Sequence, residues 1–277
     1  MCPGFLEVSG MRPICFLSDF GLADDFVGTC RGVIFRIAPE VRVIDLTHSV
    51  PSFGIRAGAE LLEHATRYMP EDTVYLAVVD PGVGTSRREI ALETESGAMM
   101  VGPDNGLLMP AAASLGGVSR AAYLTNDGLH VKPVSSTFHG RDVFSPVAAH
   151  LASGTEFGEV GEPADVKDLI GLHLPDDELG EGDIHAQIMD VDRFGNARLS
   201  IREEGCGLRY GEKLALDVGD GDMEISYVCT FGSATSGELI LVPDSHWRLS
   251  VAINKGNAAR ALSLEVGSKV TLRRKDD

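Results

Sequence analysis

The segment around Asp80 constrains the fold of this chain more than any other. Residues 76–79 are four consecutive apolar residues, a run typical of a buried strand. The run ends at Asp80, and a proline and two glycines then turn the chain sharply. A carboxylate at the carboxyl end of a strand lies at the edge where open α/β sheets bind ligands. The same loop brings back Arg87 and Arg88, so an Asp–Arg pair here is either a structural turn or part of a site.

Strand-like and helix-like segments alternate through the first half of the chain. They lie in order at residues 12–17, 26–37, 41–46, 55–68 and 73–79. Residues 89–94 and 98–101 follow as a predicted hairpin. The alternation predicts a mostly parallel, Rossmann-like sheet with crossover helices. Neither a G-x-G-x-x-G nor a G-x-x-x-x-G-K pattern occurs, so no cradle for a dinucleotide or a triphosphate is predicted.

The composition changes near Gly158. Residues 159–183 are rich in Gly, Asp, Glu and Pro and predict a linker. Short β-like segments separated by Gly or Asp turns follow at residues 184–191, 197–201, 213–218, 223–229, 238–242, 248–252 and 269–272. We therefore predict an α/β N-terminal domain over 12–158 and a small all-β, barrel-like C-terminal domain over 184–277.

The charge of the chain limits its partners. Asp and Glu outnumber Lys and Arg by 41 to 24, giving a net charge of −17, which argues against duplex nucleic acid or an anionic membrane surface as the main partner. The five cysteines form no C-x-x-C pair and no zinc-like spacing with histidine, so we expect reduced thiols and no metal. No signal-peptide pattern and no membrane-spanning apolar run is present. We expect a cytoplasmic protein.

Several polar loops are compatible with either a structural or a chemical role. His139 is either a hydrogen-bonded loop residue or a catalytic one, and Asn105 lies in an Asn-Gly turn. Residues 192–196 combine a carboxylate, an aromatic ring and an amide, a set that suits an ammonium group and a heteroaromatic ring. Residues 245–247 and 254–258 form a second such spot. Each of these segments is otherwise a polar β-turn.

Six motifs occur in one order along the chain. They are S-D-F-G at 18–21, D-P-G-V-G-T-S-R at 80–87, P-D-N-G-L-L at 103–108, F-H-G-R-D at 138–142, D-R-F-G-N at 192–196 and N-K-G-N-A at 254–258. Together they resemble the S-adenosyl-L-methionine (SAM) hydroxide adenosyltransferases, adenosine-forming SAM hydrolases related to the bacterial fluorinase and chlorinase. The resemblance extends over nearly the whole chain. It implies a homotrimer in which the two domains meet across the subunit interface and bind SAM there, without a cofactor.

The resemblance also implies contacts for each part of SAM. Matched by motif, Asp19 would hold the ribose hydroxyls. Phe53 keeps an aromatic face where the halogenases carry a tryptophan over the sugar. The adenine would be surrounded by Phe194, Asn196 and Phe231.

For the methionine end, the resemblance implies contacts from Asp24, Asp192 and Ser245. His246 stands where the fluorinase has an arginine, so the contact to the methionine carboxylate stays open. The motifs add two further substrate-binding residues, Asn105 and Asn254.

Asp80, Arg87 and His139 match the Asp-Arg-His triad that characterises the water-using branch of this family. In the fluorinase the positions of Asp80 and His139 are tyrosine-like, and the position of Gly140 is a serine that contacts the halide. The sulfonium of SAM leaves as a neutral thioether, so cleavage at the ribose C5′ needs an aligned nucleophile rather than a general acid. We expect Asp80 and His139 to orient a water molecule and take up its proton, and Arg87 to keep Asp80 ionised.

Two alternatives to SAM hydrolysis stay open at this point. A halide-using adenosyltransferase is disfavoured by Gly140 and by the triad. A sensor that binds SAM or adenosine without turnover would need the same binding residues, so the motifs do not exclude it.

Overall fold

The computed structural model describes residues 10–172, 178–179, 183–219 and 221–274. The chain divides into two compact units, an N-terminal unit over Met1–Leu174 and a C-terminal unit over Pro175–Asp277. Part of the predicted linker, residues 173–177 and 180–182, lies outside the described residues. Residues 159–172, the first part of the predicted linker, belong to the N-terminal unit and contain the short strand Pro163–Ala164.

Within the described residues, the N-terminal unit is a seven-stranded sheet with four α-helices. Its strands are β1 (Ile14–Ser18), β2 (Val43–Thr47), β3 (Val74–Val78), β4 (Glu89–Thr94), β5 (Met99–Pro103), β6 (Val118–Tyr123) and β7 (Pro163–Ala164). Its helices are α1 (Phe26–Ile37), α2 (Ile55–Ala65), α3 (Met109–Ser114) and α4 (Ser145–Ala152). A turn of π-helix, Gly140–Phe144, directly precedes α4, and 3₁₀ turns lie at Asp127–Leu129, Phe157–Glu159 and Val166–Asp168.

The strand order is β2-β1-β3-β5-β4-β6-β7, and the sheet is mixed. The first four strands in this order run parallel, whereas β4, β6 and β7 pair antiparallel with their neighbours. The α/β architecture is therefore confirmed, and so is the predicted hairpin of β4 and β5, but the sheet as a whole is mixed rather than mostly parallel because β6 and β7 also run antiparallel to their neighbours. The hairpin is formed by the short turn between β4 and β5, in which Gly97 has a φ of +85°. A link of that length joins only antiparallel strands.

Helices cover both faces of this sheet. Ile14 and Phe16 of β1 belong to an apolar cluster that includes residues of α1 and α4. Cys15 and Leu17 point to the opposite face and belong to a cluster with residues of α2 and α3. Burial raises the pKa of the Cys15 thiol to about 12, so the thiol stays neutral and packs as a small apolar group.

The carboxyl ends of β1, β3 and β5 lie at one edge of the sheet because these strands are parallel. The chain passes from β1 through α1 to β2 on one side, and then returns through α2 to β3 on the other side of β1. Such a switch point is where open α/β sheets bind ligands. Ser18 is in register with Val78, so Asp19 and Asp80 follow neighbouring strand ends at this point.

The C-terminal unit is a closed barrel. Its strands are β8 (Glu178–Leu179), β9 (Asp183–Val191), β10 (Ala197–Arg202), β11 (Lys213–Asp217), β12 (Asp222–Tyr227), β13 (Leu239–Pro243), β14 (Arg248–Ile253) and β15 (Lys269–Arg274). The order β10-β14-β13-β12-β11-β15-β9 closes through the β9–β10 pair, and β8 extends the sheet beside β9. The predicted all-β barrel is confirmed, and its seven predicted segments are the seven barrel strands. A short helix that the sequence did not predict, α5 (Ala258–Ala261), and a 3₁₀ turn, Phe231–Ser233, complete the unit.

Across the described ranges, no helix is long and apolar enough to cross a membrane. The four cysteines within these ranges are unpaired.

Candidate active site

The loop after β3 forms a buried ion pair. Arg87 Nε donates to Asp80 Oδ1 at 3.0 Å, and Arg87 Nη2 donates to Asp80 Oδ2 at 2.5 Å. The two side chains are only 7% and 6% exposed. Gly84 makes this compact loop possible, because its φ is +74° and a Cβ there would lie 2.3 Å from the carbonyl oxygen of Ser136. The bidentate geometry fixes both side chains in one orientation.

His139 joins this pair from the loop that precedes the π-turn. Its Nδ1 lies 3.3 Å from Arg87 Nη2 and 2.9 Å from Glu89 Oε1. The imidazole is 14% exposed. The structure thus brings Asp80, Arg87 and His139 together, although His139 is 52 residues from Arg87 in sequence. Glu89 is a fourth member that the sequence analysis missed.

Burial raises the pKa of the Asp80 carboxyl above its ordinary value. The charge of Arg87 and its hydrogen bonds lower this pKa, as expected, and so does the nearby His139, but burial is the larger effect. Asp80 is therefore a carboxylate held away from solvent, whose charge depends on keeping Arg87 in place.

One donor of Arg87 has no acceptor. Arg87 Nη1 lies 3.2 Å from Glu89 Oε1, close enough for an ion pair. This contact is not a hydrogen bond, and Nη1 is buried without a hydrogen-bond partner in the part of the chain that the structure describes. A buried donor left unsatisfied costs about 1–3 kcal/mol. A small oxygen ligand such as water would remove that cost.

Arg88 has a different role from Arg87. Its Nη2 donates to Asp104 Oδ2 at 2.5 Å and to the carbonyl oxygen of Asp168 at 2.5 Å, and its Nη1 donates to the Tyr123 hydroxyl at 2.7 Å. These contacts tie the loop to β5, β6 and the 3₁₀ turn near Asp168. Of the two neighbouring arginines, only Arg87 belongs to the buried cluster.

Asp19 and Phe53 meet at the switch point. Asp19 Oδ2 accepts a hydrogen bond from the backbone N–H of Phe53 at 2.9 Å. Phe53 has a φ of +65°, uncommon for an aromatic residue, and its ring is 70% exposed. A left-handed non-glycine residue costs of order 1–3 kcal/mol and is typically found where function requires it. The exposed ring stands beside the carboxylate predicted to hold the ribose.

The other two predicted residues of the N-terminal unit differ in their surroundings. Asp24 is exposed ahead of α1 and makes no hydrogen bond or ion pair with any described residue. Asn105 Nδ2 donates to the Val79 carbonyl at 2.8 Å, and its Oδ1 accepts from the Leu107 N–H at 3.1 Å. Asn105 thus fastens the end of β3 to the loop after β5.

The C-terminal unit contains a cavity of about 300 Å³ that gathers five of the predicted residues. It is lined by Asp190, Asp192, Phe194, Asn196, Arg198, Phe231, Val242, Pro243, Asp244, Ser245 and Ser250. Asp192, Phe194, Asn196, Phe231 and Ser245 were predicted from the motifs. Asp190, Arg198 and Asp244 were not, and their side chains form an ion-paired group in which Arg198 contacts both carboxylates.

Asp192 organises the turn at the rim of this cavity. Its Oδ1 accepts from the N–H groups of Phe194 and Asn196 at 2.8 and 2.9 Å, and its Oδ2 accepts from Asn196 Nδ2 at 2.8 Å. Gly195 has a φ of +84°, and a Cβ there would lie 2.1 Å from Asn257 Cγ. The turn therefore holds Phe194 and Asn196 in one geometry.

Two aromatic rings of the cavity are available to a ligand. Phe194 is 61% exposed and Phe231 is 40% exposed. Exposed rings beside amide and carboxylate groups suit a flat heteroaromatic ligand.

His246 and Asn254 lie outside the residues that line the cavity. Asn254 Nδ2 donates to the Ala234 carbonyl at 2.8 Å and so braces the 3₁₀ turn that carries Phe231. The His246 N–H donates to Asp244 Oδ1 at 2.8 Å.

Two family models match most of the chain. The SAM hydroxide adenosyltransferase N-terminal domain matches residues 14–161, and the SAM hydroxide adenosyltransferase C-terminal domain matches residues 186–271. The chain belongs to the SAM hydroxide adenosyltransferase family. The family resemblance inferred from the six motifs is confirmed.

Curated relatives and a solved structure agree with this membership. The (R)-S-adenosyl-L-methionine hydrolase of Salinispora tropica is 44% identical over 257 residues, covering 93% of this chain and 96% of its own. The relative of the same name from Thermus thermophilus is 39% identical over 269 residues, covering 95% and 100%. A fluorinase from Actinopolyspora mzabensis is 27% identical over 293 residues, covering 95% and 98%. The crystal structure of an uncharacterized conserved protein from Thermotoga maritima is 35% identical with a TM-score of 0.89, covering 94% and 100%.

Proposed function

We propose that this protein hydrolyses SAM to adenosine and L-methionine, by in-line attack of water at the ribose C5′. The observation that carries the proposal is the buried contact of Asp80, Arg87 and His139 in a member of this family. The relatives named (R)-S-adenosyl-L-methionine hydrolase are also more similar to this chain than the fluorinase is.

The chemistry follows from the substrate. A bond forms between the water oxygen and C5′ as the C5′–S bond breaks, and the sulfur leaves with the electron pair as the neutral thioether of methionine. No acid has to protonate this leaving group, so the proposal assigns no step to a metal ion or a cofactor. Water, however, is a weak nucleophile and must lose a proton. The residues near it have to bind the oxygen and accept that proton.

The buried cluster can perform both tasks. The unsatisfied Arg87 Nη1 donor can hold the water oxygen, and Asp80 and His139 supply acceptors for its protons. The low exposure of these side chains limits screening by solvent, so charges developing during attack interact more strongly than they would in water.

We propose that the nucleoside contacts residues that offer aromatic rings for stacking and polar groups for hydrogen bonds. Phe194, Phe231 and Asn196 would hold the adenine, a role supported by their common position around one cavity. Asp19 would hold the ribose hydroxyls beneath the exposed ring of Phe53.

The methionine end would be held by residues of both units. Asp192 and Ser245 line the same cavity as the adenine set, and Asp24 offers an unpaired carboxylate. Asn105, Asn254 and His246 are proposed as further substrate-binding residues, of which Asn105 and Asn254 also brace neighbouring loops.

We further propose that the protein is a homotrimer in which each SAM is held by two neighbouring subunits. The assembly is the one that the family resemblance implies, and it requires the triad and the predicted adenine set to lie in different units, as they do. We expect light scattering to give a mass near three chains of 29.5 kDa, and SAM affinity to fall when dilution dissociates the assembly. A stable monomer that binds SAM with full affinity would contradict this proposal.

A halide-using transferase is the second candidate, and the structure gives two reasons against it. A Cβ at Gly140 would lie 2.7 Å from Phe20 Cζ, so the position has no room for a halide-binding side chain unless Phe20 moves. The carboxylate of Asp80 also adds negative charge beside the attack position, which disfavours an anion.

We therefore expect adenosine to be the main product even in concentrated chloride, and Gly140→Ser to gain no halide transfer. Chromatography of the reaction separates adenosine from 5′-chloro-5′-deoxyadenosine, and sulfate at matched ionic strength is the control. The chlorinated nucleoside as main product would show that halide is the preferred nucleophile.

A sensor that binds SAM without turnover is distinguished by the same chromatography. Incubation of the purified protein with SAM is expected to release adenosine and methionine in equal amounts. SAM returned unchanged from a protein that demonstrably binds it would favour the sensor instead.

A further inference from the structure

Two segments at the switch point carry the residues proposed to contact the ribose. The β1 segment, residues 18–21, begins at the last residue of β1 and carries Asp19. The β2 segment, residues 48–53, directly follows β2 and carries Phe53. The Phe53 N–H donates to Asp19 Oδ2 at 2.9 Å. The position of the carboxylate relative to the aromatic ring therefore depends on how the two segments are held together.

A buried side-chain hydrogen bond joins the same two segments. Ser18 Oγ lies 2.8 Å from His48 Nδ1. Ser18 is 0% exposed and His48 is 4% exposed, so neither side chain can contact a ligand at the surface. A serine hydroxyl can donate or accept, so this bond forms with either neutral tautomer of the imidazole. The ring of Phe16 packs edge-on against the imidazole, with the centroids 4.6 Å apart, and restricts its rotation.

Backbone hydrogen bonds add to this connection. The Gly21 N–H donates to the His48 carbonyl at 2.7 Å, and the Val50 N–H donates to the Ser18 carbonyl at 3.4 Å. Ser18 and His48 thus connect the two segments through both their main chains and their side chains. Substitution can remove the side-chain bond while these backbone bonds and the ligand-facing residues are retained.

The chemistry of ribose makes the position of Asp19 important. The neighbouring 2′- and 3′-hydroxyls can both donate to one carboxylate, which accepts hydrogen bonds on both oxygens. Such hydrogen bonds weaken steeply when the donor and acceptor are misaligned. A shift of the β1 segment relative to the β2 segment would therefore weaken the contacts to the hydroxyls, even though no ligand-facing group had been removed.

We infer that Ser18 and His48 are positioning residues that make the site selective for a nucleoside with both ribose hydroxyls. The inference rests on the proposed function, and in particular on the ribose contact of Asp19. The Ser18–His48 bond holds the two segments at the spacing at which Asp19 accepts from the hydroxyls and from the Phe53 N–H together. Loss of this bond should leave the proposed adenine contacts intact, because they belong to the C-terminal unit.

Equilibrium binding of adenosine and of 2′,3′-dideoxyadenosine, measured by calorimetry, tests this inference. We define the ribose ratio as the dissociation constant of the dideoxynucleoside divided by that of adenosine. Both nucleosides present the same adenine, so the ratio measures what the hydroxyls contribute. We expect a wild-type ribose ratio of about 10², the scale of one or two hydrogen bonds to a charged group. Asp19→Ala should bring the ratio close to one.

Ser18→Ala and His48→Ala should each lower the ribose ratio by about 5- to 10-fold, the scale of one hydrogen bond between neutral groups. The affinity for the dideoxynucleoside should change much less. The double variant should lose no more than either single variant, because both substitutions remove the same bond. His48→Asn should keep most of the ratio, since its amide lies near the position of Nδ1 and can pair with the hydroxyl in either sense.

Thr73→Val is the matched control. Thr73 is fully buried, and its hydroxyl donates to the Pro70 carbonyl at 2.7 Å. It directly precedes β3 and so lies at the sheet edge opposite the proposed ribose site. Removing this hydroxyl should lower the melting temperature, as Ser18→Ala should, but leave the ribose ratio unchanged.

An unchanged ribose ratio in folded Ser18→Ala and His48→Ala would overturn the inference, and so would an equal fall of the ratio in Thr73→Val. If Ser18→Ala does not fold, the difference between His48→Ala and His48→Asn tests the same bond, and equal ratios in these two variants would count against it. A wild-type ratio near one, or an unchanged ratio in Asp19→Ala, would refute the ribose contact itself. Wild-type protein that shows the expected ratio but releases no adenosine from SAM would refute the proposed hydrolysis and leave the positioning role standing.

Discussion

Replacing His139 with alanine is expected to lower the single-turnover rate of SAM cleavage by about 10²- to 10⁴-fold, the scale for losing a positioned acid–base group. SAM binding should stay within about tenfold, or about 1.4 kcal/mol. The reason is position: His139 contacts Arg87 and Glu89 and is not among the residues lining the cavity that gathers the adenine set. An interaction made only in the transition state affects the rate and not the affinity.

Calorimetry for binding and rapid quenching for chemistry would measure the two effects of His139→Ala separately. His150→Ala is a suitable control, because His150 lies on α4 in the same unit and its ring makes no hydrogen bond or ion pair with any described residue. If His139→Ala cleaves SAM at the wild-type rate, the triad is not the catalytic centre. If rate and affinity fall equally, His139 is a structural or ligand-holding residue.

Replacing Asp192 with alanine is expected to produce the opposite pattern, a loss of SAM affinity of about 10²-fold, or about 2.7 kcal/mol. Asp192 accepts three hydrogen bonds that fix Phe194 and Asn196, and a hydrogen bond to a charged group contributes a net stabilisation of about 1.5–3 kcal/mol. The cleavage rate of bound SAM should change much less, because the triad belongs to the other unit.

Asp192→Asn separates the two roles of this carboxylate. The asparagine retains an oxygen for the backbone N–H groups of the turn but lacks the charge proposed to contact the methionine ammonium. We expect an intermediate affinity. Asp217→Ala is the control, because Asp217 also holds a turn in the barrel, through Gly219 and Arg273, without lining the cavity. An equal loss of affinity in Asp217→Ala would mean that the barrel as a whole had been weakened.

Local patterns predicted much of the fold. The helix-like stretch at residues 26–37, preceded by acidic residues, predicted α1 with the bounds it has, and the turn residues between short β-like segments predicted all seven barrel strands. The hairpin of β4 and β5 was predicted, but the antiparallel pairing of β4 with β6 was not, because it depends on which strand lies beside β4 in the sheet and not on the residues of β4. β6 and the short helix α5 were also missed.

The residues of the candidate site could also be predicted only in part from the sequence. Asp80 and Arg87 were predictable from one loop, because seven residues and a sharp turn bring them together. Glu89 was not, since a glutamate at the start of a strand resembles an ordinary surface residue until His139 is placed beside it. Arg198 and Asp244 were missed for a similar reason. They are 46 residues apart, and only the pairing of β10 with β14, and of β14 with β13, makes them neighbours.

The most direct test of SAM hydrolysis at C5′ is a reaction of the wild-type protein with SAM in water enriched in oxygen-18, followed by mass spectrometry of both products. Attack of water at C5′ places the heavy oxygen in the 5′-hydroxyl of adenosine and leaves methionine unlabelled. We expect the fraction of adenosine that carries the heavy oxygen to equal the oxygen-18 enrichment of the water. Unlabelled adenosine, or heavy oxygen in the methionine, would contradict attack by water at C5′ and with it the role proposed for Asp80, Arg87 and His139.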